Sequence, residues 1–168
     1  TQEFVRPLYH WRTSRPHEYT HSMLNSAGDD NSLFKSGPAH GAPPQNVRLG
    51  ANDFLLDHLG GSFDLLYFTD TDLPEALQQV ISAARAKGMP LKVIAVGAAQ
   101  PVAGADKHLP DADGHLRQRY GVPVDESGNG AAYLLRPDQH ICARWLTLDA
   151  TRLQAALTTA LPTHTRRT

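Results

Sequence analysis

Cysteine is almost absent from this chain, which has one, Cys142, among its 168 residues. A single cysteine excludes both an internal disulfide framework and a zinc site made of four cysteines, and it fits a reducing cytoplasm. An apolar run long enough to span a bilayer is missing too, and so is a signal-peptide pattern. We therefore expect a cytoplasmic protein without a membrane partner.

An excess of charge of either sign is also missing, since 16 Lys and Arg residues are balanced by 17 Asp and Glu residues, for a formal net charge of −1. The basic residues are scattered, whereas a nucleic-acid surface gathers them on one face, so we expect no nucleic-acid partner. An apolar content of 40% over this length suits one domain with its own core. Because the chain begins at Thr1 rather than at a methionine, we expect it to be a piece of a longer protein.

A strand, a helix and a second strand are predicted at the centre of the chain. Residues 63–69 form a short apolar and aromatic run, which is typical of a strand buried on both faces. Asp72 then has the position of a helix cap, with Pro74 in the first turn and Glu75 completing a capping box. Residues 91–96 are predicted to be the second strand, so the two strands should be parallel and joined by a right-handed crossover.

The helix between these strands is indicated by the spacing of its apolar residues. They recur at the helical period and form one stripe, while the polar residues lie mostly off it, and Gly88 ends the helix. One side of the helix should therefore pack on the sheet. The stripe comprises Leu73, Leu77, Val80, Ile81 and Ala84.

The chain divides by composition into three parts. Residues 1–41 are polar and show no useful periodicity, so we predict an irregular N-terminal extension or linker, followed by a folded domain over residues 42–162 and a tail over residues 163–168. The other elements follow from the same signals. They are an extended segment at 47–49, a short helix or turn at 54–59, a loop at 98–110, a helix at 113–120, a hairpin of strands at 131–136 and 140–145, and a last helix capped by Asp149.

The predicted order is β-α-β-α-β-β-α, which is the order of the thioredoxin fold, so the predicted fold class is α/β. Redox members of that fold have a nucleophilic cysteine where the first core strand meets its helix. Here that turn is Asp70-Thr71-Asp72-Leu73 and has no thiol. Cys142 lies in the predicted hairpin, away from any helix N-terminus, and is expected to be a small core residue. The domain should therefore have no redox cysteines.

A zinc-binding pattern occurs in the N-terminal extension. His17-Glu18-Tyr19-Thr20-His21 matches H-E-x-x-H, in which His17 and His21 would bind zinc and Glu18 would polarise a water. The chemistry needs a helix that is buried in a core, but Pro16 directly precedes the motif and no helical turn is predicted before it. With nine histidines in the chain a chance match is easy, so no metal site is expected.

Two further features near the central unit have simpler explanations than a catalytic or nucleotide site. Helix capping accounts for Asp72 and turn preference for Asp70, without a role in acid–base or metal chemistry. The lone G-x-G of residues 128–130 precedes a strand, whereas a dinucleotide fingerprint follows a strand and opens a helix. We interpret it as a turn.

A set of residues in the second half of the chain resembles a known family. Arg119-Tyr120-Gly121, residues 130–140 and Ala143-Arg144-Trp145 are similar to the C-terminal domain of flavin-dependent aromatic hydroxylases, the class that includes phenol hydroxylase and 3-(3-hydroxyphenyl)propionate hydroxylase. Upstream segments also resemble that family. They are Tyr19, Ser22 and Leu24, the turns at 37–38 and 41–43, and the Leu-rich segment at 56–66.

The resemblance implies a thioredoxin-like domain that follows an upstream FAD-binding and substrate-binding domain and contributes, as in several relatives, to contacts in a homodimer. The parent enzyme would hydroxylate a phenolic ring with FAD, NAD(P)H and dioxygen. The family's G-x-G-x-x-G and its other flavin motifs are absent from these 168 residues. This piece should then have no catalytic residue and no cofactor site, and it should serve stability, subunit contact or closure of the active site.

Two alternatives belong to other functional classes. One is a free-standing, redox-inactive thioredoxin-like interaction module, and the more distant one is a zinc hydrolase that rests on residues 17–21 alone. The start at Thr1 and the poorly foldable residues 1–41 favour the hydroxylase domain over both.

Overall fold

A mixed five-stranded sheet forms the centre of the computed structural model, which describes residues 34, 36–39, 41–125 and 128–160. The elements in chain order are β1 (Arg48–Gly50), β2 (Asp53–Phe54), a 3-10 helix (Leu55–His58), β3 (Phe63–Thr69), α1 (Glu75–Ala86), β4 (Leu91–Gly97), β5 (Lys107–Pro110), α2 (His115–Arg119), β6 (Ala132–Leu135), β7 (Ile141–Trp145) and α3 (Ala150–Ala160). The large sheet has the order β5-β4-β3-β6-β7, and β1 and β2 form a separate two-stranded ribbon.

The central strand, helix and strand are confirmed. β3 and β4 are parallel, in register from Phe63 opposite Leu91 to Thr69 opposite Gly97. α1 buries Leu77, Ile81 and Ala84 of the predicted stripe between the two strands, while Val80 is partly buried and Leu73 is buried just before the helix. The helix ends before Gly88, whose φ of 90° is a backbone conformation that glycine adopts without strain. The sequence alone therefore located this unit to within a residue or two.

The thioredoxin-like order is confirmed in the rest of the sheet. β6 pairs antiparallel with β3, and β7 pairs antiparallel with β6 through the predicted turn at residues 137–139. Asp149 caps α3 as predicted, because its Oδ1 accepts a hydrogen bond from the backbone N–H of Arg152 at 2.8 Å. The fold is α/β and thioredoxin-like.

One strand of the large sheet was missed. Residues 98–110 were predicted to be loop throughout, but Lys107–Pro110 forms β5, which pairs parallel with β4 at the edge of the sheet. Its four residues contain a proline and too few apolar side chains to show alternation. Asp106 secures its start, since its Oδ2 accepts the backbone N–H of Val93 at 2.7 Å and also pairs with Arg85.

The predicted capping box at the start of α1 is wrong. Pro74 occupies the cap position, and no side chain makes a capping hydrogen bond there. Asp72 instead accepts the backbone N–H of Ala103 at 2.9 Å, which joins the turn after β3 to the loop after β4. The segment predicted as a short helix or turn at 54–59 begins as strand β2 and continues as the 3-10 helix.

The two sides of the large sheet are covered differently. The helical face is the side that packs on α1 and α3, and its buried residues are mostly aliphatic, such as Leu77, Ile81 and Leu153. The aromatic face is the opposite side, where Phe34, Phe68, Tyr120 and Tyr133 pack under the 3-10 helix, α2 and irregular chain. Side chains along β3 alternate between the two faces, as the pleat of a strand requires.

The described part of the chain contains no helix with the length and apolar character needed to cross a membrane. Residues 1–33 and 161–168 lie outside the described residues, so the predicted boundaries at 41–42 and 162–163 stay predictions.

Candidate functional site

The turn after β3 is the place where redox members of the thioredoxin fold have their cysteine, and here it is a polar turn. Thr69 folds the turn locally, because its Oγ1 accepts the backbone N–H of Thr71 at 3.1 Å. Asp70 and Asp72 follow with exposed carboxylates. The turn lies at the carboxyl ends of two parallel strands, which is the position where α/β sheets commonly bind ligands.

A buried arginine lies beneath this turn. Arg117 of α2 is 4% exposed, and its Nη2 donates to Asn129 Oδ1 at 2.8 Å and lies 3.4 Å from Asp70 Oδ1. Its Nε is buried without a hydrogen-bond partner among the described residues. Gly97 makes room for the guanidinium, since a Cβ there would lie 2.9 Å from Nη2.

The position of Arg117 follows from its short helix. Leu116 and Tyr120, one helical turn apart, are buried in the aromatic face and orient α2. Asp111 precedes the helix, and its two carboxylate oxygens accept the backbone N–H groups of Leu116 and Arg117 at 2.8 and 3.0 Å. Arg117 is thereby held toward β3 and β4.

Arg117 contributes hydrogen-bond donors to this site. A guanidinium group only donates hydrogen bonds, so Arg117 can hold the Asp70 turn against the Asn129 turn but supplies neither a nucleophile nor a base. Asn129 lies in the predicted turn at 128–130, where the backbone N–H of Gly130 donates to the Phe68 carbonyl at 2.8 Å. The grouping of Arg117 with Asn129 was missed, because a five-residue helix with two arginines, Arg117 and Arg119, is too short for its sequence pattern to show which one points inward.

Cys142 is the core residue that the sequence predicted. It is buried on the helical face, and its Sγ–H donates to the Leu134 carbonyl at 3.3 Å. Burial raises the pKa of its thiol to about 12. Because the thiolate is the reactive form, Cys142 is unreactive at neutral pH in the folded protein.

Three of the family-like residues of the second half of the chain, Tyr120, Tyr133 and Arg144, meet on the aromatic face. The Tyr133 hydroxyl donates to the Tyr120 carbonyl, and the Tyr120 hydroxyl donates to the Gln45 carbonyl at 2.7 Å. Arg144 is 3% exposed, lies 4.0 Å from the centre of the Phe34 ring and donates to the Tyr133 hydroxyl at 3.4 Å. Burial raises the pKa of both tyrosines, so neither phenol loses its proton near neutral pH. This cluster fixes structure.

The predicted zinc motif cannot be placed, because His17, Glu18 and His21 lie outside the described residues. Among the residues that the structure does describe, no group of three or more His, Cys, Asp or Glu side chains is arranged to hold a metal ion.

Comparison with known proteins finds similarity in structure but not in sequence. No protein-family model matches the sequence, and no curated protein matches it significantly. Aklavinone-11 hydroxylase, solved in a ternary complex with FAD and aklavinone, has 24% identity and a TM-score of 0.54 over 79% of this chain and 23% of its own. The flavin-dependent monooxygenase PieE, in complex with FAD and substrate, has 22% identity and a TM-score of 0.51 over 78% of this chain and 21% of its own.

The substrate-free rebeccamycin biosynthetic enzyme RebC also matches, at 18% identity and a TM-score of 0.52 over 94% of this chain and 26% of its own. At these identities the matches show a shared fold. The chain spans only about a quarter of the length of each of these enzymes.

Proposed function

We propose that this chain is the C-terminal, non-catalytic domain of an FAD-dependent aromatic-ring monooxygenase. The observation that carries the proposal is the structural match, in which most of this chain aligns with about a quarter of enzymes described as a hydroxylase and a monooxygenase with bound FAD. The family-like residues Tyr120, Tyr133 and Arg144 support it, because they form the packed centre of one face rather than scattered surface positions.

The chemistry at the strand-to-helix junction supports a domain that leaves catalysis to another part of its protein. The junction of β3 and α1 does not fit a dinucleotide, because Pro74 at the helix start has no N–H to offer a phosphate. The carboxylates of Asp70 and Asp72 would repel a phosphate there. In this proposal FAD and NAD(P)H are bound by an upstream FAD-binding and substrate-binding domain.

The role of the domain in the parent enzyme is then stability, subunit contact in a homodimer, or closure of the active site. All three roles need a folded unit with two well-packed faces and no competing reactive group. The buried, unreactive Cys142 and the thiol-free turn after β3 agree with that requirement.

The test is to extend the chain with the sequence encoded upstream of Thr1 and to assay the whole protein. The proposal expects a G-x-G-x-x-G dinucleotide motif upstream, and hydroxylation of a phenolic substrate that consumes NADH or NADPH. Removal of residues 42–160 should lower stability or dimerisation, or uncouple NAD(P)H oxidation from hydroxylation. An upstream reading frame without a flavin motif, or none at all, would contradict the proposal and favour a free-standing interaction module.

A further inference from the structure

One histidine of the described region is bonded through both ring nitrogens to charged groups on other elements. His58 ends the 3-10 helix, and its Nε2 lies 2.7 Å from Asp53 Oδ1 of β2, while its Nδ1 lies 2.8 Å from Lys107 Nζ of β5. The ring is largely buried, with a side-chain exposure of 17%. His58 thus joins the small ribbon to the edge strand of the large sheet.

The partners determine which ring nitrogen holds the proton. A carboxylate only accepts hydrogen bonds, so Nε2 must donate to Asp53, and an ammonium group only donates, so Nδ1 must accept from Lys107. Both bonds form together only when the imidazole is neutral and protonated at Nε2. This tautomer is imposed by the two neighbours.

A second proton on the ring would break one of the two bonds. It would attach to Nδ1, which then changes from acceptor to donor and faces the Lys107 ammonium with a like charge. The bond to Asp53 would survive and strengthen, because it would join opposite charges. We propose that His58 is a proton-sensitive link, which holds Lys107 of β5 to the 3-10 helix while its ring is neutral and releases it when Nδ1 takes up a proton.

The other charged groups around His58 leave this link intact. Lys92 of β4 donates to the His58 backbone carbonyl at 2.5 Å and lies 3.4 Å from Asp64, so its charge is partly balanced. Asp57, on the same 3-10 helix, accepts the backbone N–H of Phe54 at 3.2 Å. The titratable and charged groups facing this region from its neighbouring elements are Asp53, Asp57, Asp64, Lys92 and Lys107.

The release is confined to the edge of the sheet. Leu55, the first residue of the 3-10 helix, and Leu59, which directly follows it, are buried in the aromatic face and anchor that helix by apolar contacts. β5 is paired on one side only, to β4, and its first residue Lys107 is exposed. Loss of the link therefore loosens the start of β5 without unfolding the domain.

The first test is a direct view of the tautomer by NMR of imidazole ¹⁵N nuclei in the 168-residue chain at pH 8, assigned with His58→Gln. The expected result is a His58 ring protonated at Nε2 and bare at Nδ1. A ring protonated at Nδ1, or an equal mixture of tautomers, would overturn the proposal.

The second test is the protection of β5 amides against hydrogen exchange, compared at two pH values at which the ¹⁵N signals show the His58 ring to be neutral and doubly protonated, respectively. Protection at the start of β5 should fall by about two- to fivefold in acid, the loss expected for a partly exposed polar link. His58→Gln and Lys107→Met should each remove the fall, whereas His115→Gln, on the exposed side of α2, should keep it. An equal fall in His58→Gln, or no fall in the unmodified chain, would refute the link.

Discussion

The helical face and the aromatic face of the sheet are built by different means. The helical face uses aliphatic side chains that recur at regular spacing along α1 and α3. The aromatic face collects residues that are up to about a hundred positions apart, and it buries polar groups, among them Arg144 and Asp64, which must each be matched to a partner. The helical face is stabilised by apolar side chains at regular spacing, and the aromatic face is stabilised also by specific hydrogen bonds.

The difference predicts which amino-acid substitutions each face tolerates. On the helical face the cost of a substitution depends on volume, because the neighbours are apolar. On the aromatic face the cost depends on single atoms, because a lost donor or acceptor leaves a buried partner unpaired. Four pairs of substitutions test these two rules.

The largest effect is expected from a cavity on the helical face. Leu77→Ala should lower the free energy of unfolding by about 2–5 kcal/mol, because the α1 side chain is almost fully buried. Gln79→Ala, at an exposed position of the same helix, should stay within about 0.5 kcal/mol. Urea unfolding measures both, and equal losses would contradict the packing of α1.

The next largest effect comes from comparing two glycine substitutions. One adds only backbone strain, and the other also creates a steric clash on the aromatic face. Gly37 and Gly88 have φ values of 91° and 90°, but a Cβ on Gly37 would lie 2.5 Å from the Tyr120 carbonyl oxygen, and one on Gly88 would meet nothing. We expect about 1–2 kcal/mol of strain alone for Gly88→Ala and roughly 2–4 kcal/mol for Gly37→Ala. Similar melting temperatures for the two variants would show that residues 36–39 do not pack on this face.

A single oxygen atom tests the hydrogen-bond rule. Tyr133→Phe removes the donor to the Tyr120 carbonyl and the acceptor for Arg144, and should cost about 1–3 kcal/mol. Tyr67→Phe makes the same change on the helical face, where no hydrogen bond joins the hydroxyl to a described residue, and should cost less than about 0.5 kcal/mol. Chemical unfolding of both variants decides, and a larger loss for Tyr67→Phe would invert the comparison.

The smallest effect is the contribution of the buried Asp64 to the pH dependence of the free energy of unfolding. Burial raises the pKa of its carboxyl, against the opposing influence of the Gly60 N–H and the Lys92 ammonium. The folded state therefore keeps a proton that the unfolded chain loses near pH 4, so this contribution to stability falls as pH rises from about 4 through the raised pKa.

Asp64→Asn should remove this contribution to the slope of the free energy of unfolding against pH. Each unit by which the pKa of Asp64 is raised corresponds to about 1.4 kcal/mol. Urea unfolding between pH 4 and pH 8 measures it. Glu75→Gln, which removes an exposed carboxylate in the first turn of α1, is the control for the loss of one charge at the surface. An unchanged slope in Asp64→Asn would place the pH dependence elsewhere.

The same contrast explains what could be predicted from the sequence. The helical face follows from local periodicity, so β3, α1, β4 and α3 were located correctly. β5 was missed because its pairing with β4 depends on Asp106 contacts across the sheet and not on a pattern within Lys107–Pro110. The bond of Asp72 to Ala103 was missed for the same reason.

Some features of the candidate site could also be predicted from the sequence, and others could not. The absence of a thiol after β3 and the burial of Cys142 could be predicted from residue types and their positions. The contacts of Arg117 with Asn129 and of His58 with Lys107 could not, because they join different elements that are 12 and 49 positions apart in the chain. The contact of His58 with Asp53 spans only five positions but was not predicted either.

The central claim is that this chain is a flavin-free domain of a flavin enzyme, and a paired FAD titration tests it most directly. Flavin fluorescence and urea unfolding are measured for the 168-residue chain and for the chain extended upstream. The account predicts that the chain unfolds cooperatively without flavin and leaves FAD fluorescence unchanged, whereas the extended protein binds FAD. Tight FAD binding by the 168 residues alone, or their failure to fold without flavin, would contradict it.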